Sequence, residues 1–241
     1  MRSTCLPVHH LSQERASVSS THLLPIEWMS ELAVFPLARV VFFPGTLLPL
    51  HIFEPRYRAM VRDCLAKERP HIAVTLLKPG YEADYDGRPP MHEIATVGRI
   101  EQHEELPDGR FNLVLRGLAR VKLSELPPGN QPFRRANAEV LDGKRGHERV
   151  PRDALTTLVS TASLVGALVR REHPNFSLGV QPDDPPHHVA DTLADRLIAD
   201  SNARQDLLET LDVCERVKKL TGYVATLLGT LESEHSRGPL Q

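Results

Sequence analysis

The sequence predicts an α+β protein in which a strand-rich part, residues 31–144, precedes a helical part, residues 145–232. In the first part, short apolar runs are cut by proline and glycine, a pattern typical of buried strands joined by tight turns. From Asp153 onward, apolar residues recur every three or four positions, which is the period of an amphipathic helix. The charged, glycine-containing segment 142–152 separates the two patterns, so we expect the boundary between the parts there.

Neither end of the chain carries a clear pattern. Residues 1–30 mix serine, histidine, threonine and proline without an apolar period, which predicts a disordered extension. They also lack the continuous apolar core of a secretory signal. A second hypothesis for residues 1–28 is that translation starts at Met29, directly before the first strand. We expect residues 233–241 to form a frayed tail.

Three short apolar runs open the strand-rich part and predict three buried strands, at 32–36, 40–43 and 47–53. Pro44 and Gly45 separate the second run from the third and predict a tight turn, to which we assign no chemistry. Pro55 marks the start of a helix over about 55–68, because a proline at the first helical position loses no hydrogen bond.

Glu54 and Arg56 flank Pro55 within apolar surroundings and are the strongest catalytic candidates of the chain. A partly buried carboxylate needs a cation or a hydrogen-bond donor whether or not it catalyses. We therefore favour an ion pair that anchors the strand-to-helix corner over an enzyme that uses Glu54. Arg116 and Arg120 are the candidate partners of Glu54.

The rest of the strand-rich part contains alternating apolar positions that predict four strand regions, at about 71–77, 93–103, 111–123 and 133–141. A loop rich in glycine and proline, 78–90, follows the first of them. Gly98 predicts a bulge or a close approach of the backbone. The turn at Pro107-Asp108-Gly109 predicts a hairpin. In the strand after it, Gly117 interrupts the alternation of apolar residues, which resumes at Val121 and Leu123.

The sequence of the helical part predicts three helices. The first begins near Asp153 and places on one face Leu155, Leu158, Val159, Ala162, Val165 and Val169. Asp184 is a good N-cap for the second, with Pro185 at the first helical position. Residues 200–202 form a turn, and one long helix from about Ala203 carries apolar residues as far as Leu231.

Several motifs occur in order along the chain. In the strand-rich part they are FPL at 35–37, VFFPG at 41–45, PL at 49–50, EPRY at 54–57, GRI at 98–100, LPDGRF at 106–111 and RGLARV at 116–121. In the helical part they are LAD at 193–195, QDLLE at 205–209 and DVCER at 212–216. Over about residues 31–232, this series resembles the N-terminal, substrate-binding domain of Lon-type ATP-dependent proteases.

The resemblance implies a PUA-like β pseudo-barrel followed by a C-terminal helical bundle. It also implies a stand-alone, non-catalytic module that binds exposed apolar segments of unfolded or client proteins, with a separate ATPase or protease as a possible partner. It does not identify the peptide-binding residues or the oligomeric state. The residues that carry the motifs are expected to be structural: Pro36, Pro44, Gly45, Glu54, Arg56, Tyr57, Gly98, Gly109, Gly117 and Arg120.

The motifs of several enzyme classes are missing from the sequence. No phosphate cradle of the form GxxxxGK[ST] occurs, because the pair Gly143-Lys144 is followed by Arg145. Neither a GxSxG nucleophile elbow nor a GxGxxG dinucleotide motif occurs. The resemblance does not extend to an ATPase or a peptidase domain. We therefore expect no catalysis and no cofactor.

A metal site can be drawn from His187 and His188 with the acidic residues Asp183, Asp184 and Asp191. We favour a solvated helix N-terminus, where acidic side chains complement the helix dipole. No HExxH motif or cysteine-containing zinc spacing supports a metal. We therefore expect no metal ligands.

The alternative function is RNA binding or a role as an RNA-modification accessory protein, because PUA-like folds include RNA binders. The basic pairs 134–135 and 144–145 are local, and no strip of aromatic and basic residues accompanies them, so we favour a solvated surface. A net charge of −2 gives no overall attraction to nucleic acid. Three isolated cysteines (Cys5, Cys64 and Cys214) and the lack of a long apolar run predict a cytoplasmic protein without a membrane span.

Overall fold

The computed structural model describes residues 29–84, 87–141 and 150–237. The predicted N-terminal extension, apart from residues 29–30, and most of the predicted boundary segment therefore lie outside the described residues. The strands are β1 Leu32–Leu37, β2 Leu47–Ile52, β3 His71–Leu76, β4 Ile94–Glu105, β5 Phe111–Glu125 and β6 Arg134–Val140. The helices are α1 Pro55–Ala66, α2 Arg152–Glu172, α3 Pro186–Leu197, α4 Ser201–Glu209 and α5 Val213–Arg237.

The sheet is a partly closed pseudo-barrel, and the chain has the predicted α+β fold. Its strand order is β2-β5-β4-β3-β1-β6, and β6 also pairs with β5, which closes a circuit of five strands. All pairs are antiparallel except β1 with β3, and the antiparallel hairpin β4–β5 turns at Gly109, whose φ is +76°. β2 stands outside the closed circuit, so the barrel is irregular.

Three apolar cores hold the elements together. One lies between α1 and the sheet and includes Phe35, Met60 and Phe111. A second lies within the pseudo-barrel and is built from smaller residues such as Val97 and Ala119. The third joins the four C-terminal helices to the strand-rich part, and its members from that part are Val41, Phe43 and Leu76. The helices therefore share a core with the strand-rich part.

The prediction of a strand at 40–43 is wrong. Val41–Phe43 is buried but pairs with no strand, because side chains donate hydrogen bonds to its carbonyl oxygens in place of a neighbouring strand. Arg204 donates to the Val41 oxygen at 2.7 Å, and the Thr96 hydroxyl donates to the Phe42 oxygen at 2.6 Å. The Thr46 hydroxyl donates to the Phe43 oxygen at 2.9 Å. The segment crosses the sheet as a strap, and its side chains enter two different cores.

Gly98 and Gly117 form a pair on β4 and β5 directly under this strap. A Cβ on Gly117 would lie 2.2 Å from the Phe43 carbonyl oxygen, and a Cβ on Gly98 would lie 2.7 Å from the Phe42 ring. The predicted close approach at Gly98 is confirmed, and a register shift accompanies it. The predicted interruption of the apolar alternation at Gly117 coincides with this shift, because the pairing of β5 with β4 steps from Ala119 to Gly117 and skips Leu118.

The predicted strand at 47–53 exists as β2, but the prediction that it is buried is wrong. β2 lies at the end of the strand order, and only its last residue, Ile52, is buried. The run is apolar apart from His51, so its composition does not reveal that alternate side chains face outward.

The helical part differs from the prediction at two caps. Helix α3 begins at Pro186 rather than Pro185, because Asp184 accepts a hydrogen bond from the backbone N–H of Gln181 and closes the preceding loop. The predicted long helix is divided into α4 and α5, because Asp212 caps a new helix by accepting the N–H of Glu215 at 2.7 Å. Helix α5 then runs past Glu232 to Arg237.

Candidate functional site

The corner between β2 and α1 brings three motif residues together. Pro55 occupies the first position of α1, and Arg56 donates from Nε to Glu54 Oε2 at 3.0 Å. The Arg56 guanidinium also lies 4.8 Å from the centre of the Tyr57 ring. The side chains of Arg56 and Glu54 are 21% and 24% exposed, so the pair is reached by water. Arg116 instead pairs with Glu101 and Arg120 with Asp191, so the predicted partners of Glu54 are wrong.

A pocket with a volume of about 240 Å³ lies beside this corner, and we call it the Tyr57 pocket. Its basic members are Arg56, Arg88 and Arg134. The other lining residues are mainly apolar or aromatic and include Pro36, Tyr57, Leu77, Pro89, Pro132 and Phe133. The motif residues Pro36, Arg56 and Tyr57 thus lie in one concave site.

Arg134 is buried, which contradicts the predicted solvated surface at 134–135. Its Nε and Nη2 donate to the two carboxylate oxygens of Glu125 at 2.8 and 2.5 Å, and its Nη1 donates to the Pro89 oxygen. Its neighbour Arg135 pairs with Glu31. The basic pair 144–145 lies outside the described residues. Neither arginine belongs to an open basic strip of the kind that RNA requires.

Arg120, Asp191 and Arg216 form a buried cluster between the strands and the helices. Arg120 donates from Nη1 and Nη2 to the two Asp191 oxygens at 2.8 and 2.6 Å, and Arg216 Nε lies 3.2 Å from Asp191 Oδ1. Arg120 Nε also donates to the Leu208 carbonyl oxygen of α4. The exposed fractions of the Arg120 and Asp191 side chains are 3% and 2%. The cluster therefore ties β5 to α3, α4 and α5.

Asp191 contradicts the predicted solvated helix N-terminus, because its side chain is buried. Burial on its own raises the pKa of Asp191, but the charges of Arg120 and Arg216 more than offset it, so the pKa lies below its ordinary value. Asp191 is therefore ionised and held by two cations. His188 lies 3.9 Å from Asp184. Among the described residues, no group of three acidic, histidine or cysteine side chains is arranged to hold a metal ion.

Two buried titratable residues, Cys64 on α1 and His71 at the start of β3, lie close together. Burial, and to a lesser extent the charge of Asp63, raises the pKa of the Cys64 thiol to about 12. Burial and then Arg99 lower the pKa of His71 to about 4. At neutral pH, therefore, the thiol is protonated and the imidazole is neutral. This pair supplies neither an activated nucleophile nor a charged acid.

The outer side of β2 carries exposed apolar residues that the sequence analysis missed. We call this surface the β2 face and define it by Leu47, Pro49, Phe53 and Val114, the partner of Pro49 on β5. Leu47 is 49% exposed and Phe53 is 60% exposed. His51 stacks on Phe53 with ring centres 6.4 Å apart and hydrogen-bonds Asn112. The β2 face is thus an apolar strip with a polar rim.

Comparison with known proteins gives one consistent family. A model of the ATP-dependent protease La (LON) substrate-binding domain matches residues 31–226. Lon protease of Dictyoglomus thermophilum is 27% identical over 202 residues, which cover 83% of this chain and 25% of that protein. Lon protease 2 of Myxococcus xanthus is 29% identical over 188 residues, which cover 78% and 22%. The chain thus spans about a quarter of the length of these curated relatives.

Two solved structures share the fold. The N-terminal domain of the Mycobacterium avium complex Lon protease superposes with a TM-score of 0.61 at 19% identity, covering 81% of this chain and 98% of that one. A Lon N-terminal domain protein from Xanthomonas campestris gives a TM-score of 0.59 at 22% identity, covering 80% and 98%. At these identities the likeness shows the fold alone.

Proposed function

The chain belongs to the ATP-dependent protease La (LON) substrate-binding domain family, and from this premise we propose that it binds polypeptide clients without catalysing a reaction. The clients are unfolded or partly unfolded proteins that present apolar segments. The family match ends at residue 226 and covers the substrate-binding domain alone. ATP hydrolysis or cleavage of such clients would belong to a separate ATPase or protease that works with this chain in the cytoplasm.

The observation that carries the proposal is the exposed β2 face. Monomeric proteins rarely leave large apolar side chains clustered in water unless the cluster meets a partner. Leu47 and Phe53 are about half exposed or more. The opposite face of the same strand packs into the core with α1. An extended client segment laid across Leu47, Val114 and Phe53 would cover them.

Pro49 indicates how such a segment would lie. A free strand edge can add a client as a further strand through its N–H and C=O groups. Pro49 removes a donor from the middle of β2. We therefore expect side-chain burial on the β2 face to contribute more affinity than strand addition.

Removing the apolar groups of this face tests the proposal. The double variant Leu47→Ser with Phe53→Ser should bind a fluorescently labelled, permanently unfolded protein at least tenfold more weakly. Full burial of such a side chain is worth roughly 1.5–3 kcal/mol, and 1.4 kcal/mol corresponds to tenfold. The matched control is Leu164→Ser, because Leu164 on α2 is 57% exposed but far from β2 in sequence. Unchanged affinity in the double variant would refute the β2 face.

Activity measurements test the non-catalytic part of the proposal. The purified chain should neither hydrolyse ATP nor cleave unfolded casein, because no phosphate cradle or peptidase motif occurs in its sequence. ATPase turnover that follows the protein peak through repeated purification would contradict this expectation. Salt-sensitive retardation of RNA in a gel would favour the RNA-binding alternative instead.

A further inference from the structure

His51 is a polar side chain inside the apolar, outward-facing row of the β2 face. Leu47, Pro49 and His51 alternate outward along β2, and Phe53 follows directly after the strand. The His51 and Phe53 rings are inclined by 26°, with their centres 6.4 Å apart. An extended segment that lies across Leu47 and Phe53 therefore also passes over the His51 ring.

Both ring nitrogens of His51 are occupied by neighbours from β5 and the turn before it. Arg110 Nη1 lies 3.2 Å from Nε2. A guanidinium can only donate, so Nε2 accepts this hydrogen bond and carries no proton. Nδ1 lies 2.7 Å from Asn112 Oδ1, so Nδ1 carries the ring proton and donates it. His51 is therefore held as a neutral imidazole with one defined tautomer.

Acidic side chains fix the two groups that hold the ring. Asp108 accepts a hydrogen bond from Arg110 Nε at 2.6 Å, and Glu104 Oε2 lies 3.5 Å from the Asn112 amide nitrogen. The backbone N–H and then the side chain of Arg110 hold the pKa of Asp108 below its ordinary value, with a smaller effect from Arg58 on α1. Arg110 is thus the charged group in hydrogen-bond contact with the ring, and Asp108, Glu104 and Arg58 lie behind it.

Protonation of the ring would break this arrangement. A proton on Nε2 would point at the N–H groups of Arg110, so the hydrogen bond would be lost and two cations would lie side by side. The ring would also become charged beside Phe53 and would need the water that an apolar client side chain displaces. Histidine changes its charge between about pH 5 and 8, so mild acid is sufficient to produce this change.

We propose that His51 determines which segments the β2 face accepts, because its neutral ring takes an apolar client side chain beside Phe53 and its protonated ring does not. This inference rests on the proposed function and deepens it, since it assigns a specificity-determining residue to the same face. A client that covers the neutral ring opposes the uptake of a proton, so by linkage the proton opposes the client. The affinity of the β2 face for apolar segments therefore falls as the pH falls.

The pH dependence of peptide binding tests the inference. The probe is a short peptide of leucine, phenylalanine, serine and threonine with blocked ends and a pH-insensitive label, so the peptide itself does not titrate in this range. Fluorescence anisotropy should show weaker binding at about pH 5 than at about pH 7.5. The expected loss is at least about fivefold, the lower end of typical coupling between two ligands.

A variant without a titratable ring locates the effect. His51→Gln keeps a polar side chain of similar length but takes up no proton, so it should lose most of the pH dependence. The matched control is His173→Gln, which removes an exposed histidine at the end of α2, far from β2 in sequence. The control should retain the full pH dependence. Thermal melting of both variants at the two pH values checks that the fold is kept.

Each outcome has one meaning. Equal affinity of the parent at the two pH values overturns the inference, and so does a pH dependence that survives His51→Gln or disappears equally in His173→Gln. The unfolded protein used to probe the β2 face, measured at about pH 7.5, distinguishes the two proposals. If it binds through Leu47 and Phe53 while the peptide shows no effect of pH, only this inference fails. If neither probe binds at either pH, the proposed function fails as well.

Discussion

Two regions of the molecule depart from the usual rule that charged side chains are exposed and apolar ones buried. They are the interface between the strands and the helices, and the outer face of β2. At the interface, charged groups are buried, and each is held by an opposite charge or a carbonyl, as in the Arg120–Asp191–Arg216 cluster. On β2 and directly after it, the large apolar side chains of Leu47 and Phe53 are exposed to water. Buried charges that are fully paired fix an arrangement, whereas exposed apolar groups are available to a partner. The contrast supports an architectural role for the first region and the proposed binding role for the second.

Breaking the buried cluster should have the largest effect of any single substitution. Asp191→Ala leaves two arginines buried without their carboxylate, which should cost about 3–5 kcal/mol of unfolding free energy. The control is Glu101→Ala, which breaks the more exposed pair with Arg116 and should cost about 0–1 kcal/mol. Urea unfolding measures both. Equal, small losses would show that the cluster does not hold the helices to the strands.

The same cluster predicts how stability depends on pH. The pKa of Asp191 in the folded protein lies below its ordinary value of 3.8. Its contribution is therefore complete above that value and is lost as the pH falls below it, because the unfolded chain then binds a proton that the folded chain does not. Urea midpoints taken from pH 6 down to about pH 3 should fall more for the parent than for Asp191→Ala. Parallel curves would contradict this account.

Crowding the strap should have the next largest effect. In Gly117→Ala the new Cβ would lie 2.2 Å from the Phe43 oxygen, so the strap must move, at a cost of about 1–3 kcal/mol. Gly222→Ala is the matched control. Open space surrounds that helical glycine, so alanine should stabilise the protein by about 0.4–1 kcal/mol. Melting temperatures that shift in the same direction would contradict the role of Gly117.

Glu54→Ala should have a moderate effect on stability. The pair with Arg56 is partly exposed, so the loss should be about 1–2 kcal/mol, below that of a buried pair. Calorimetry of the variant beside the parent checks this value. A melting temperature equal to that of the parent would contradict a structural role for Glu54 and would favour a functional one.

Phe53→Ser should change the melting temperature least. Its side chain is 60% exposed, and substitutions at such positions usually change stability by less than about 0.5 kcal/mol. A loss of more than about 1 kcal/mol would show that Phe53 supports the fold, and the β2 face could no longer be assigned to binding alone.

Much of the fold could be predicted from local patterns in the sequence. The turn at Gly109, the proline start of α1 and the helical face of Leu158 and Val165 each depend on neighbours within a few residues. The sequence analysis missed the break before α5, although a local signal for it exists, since Asp212 and Glu215 have the spacing of a capping box. The motif series supplied the family, which local periodicity alone does not indicate.

Polar contacts between residues far apart in sequence could not be predicted from local patterns. Arg120 and Asp191 are 71 positions apart, and neither has a local sign of its partner. The strap at Val41–Phe43 has the composition of a strand, and only Arg204 and Thr96, far away in sequence, explain why it is not one. The exposure of Phe53 depends on the place of β2 at the end of the sheet order, which no local pattern specifies.

The central claim is that strands and helices form one folding unit, and separate expression of its two parts tests it most directly. We propose that residues 30–144 and 145–241 depend on each other, because Val41, Phe43 and Leu76 lie in the core of the helices. Residues 30–144 alone should aggregate or melt without a sharp transition, and co-expression with residues 145–241 should restore a soluble complex. A soluble, monomeric 30–144 that melts as sharply and at the same temperature as the full chain would contradict the claim.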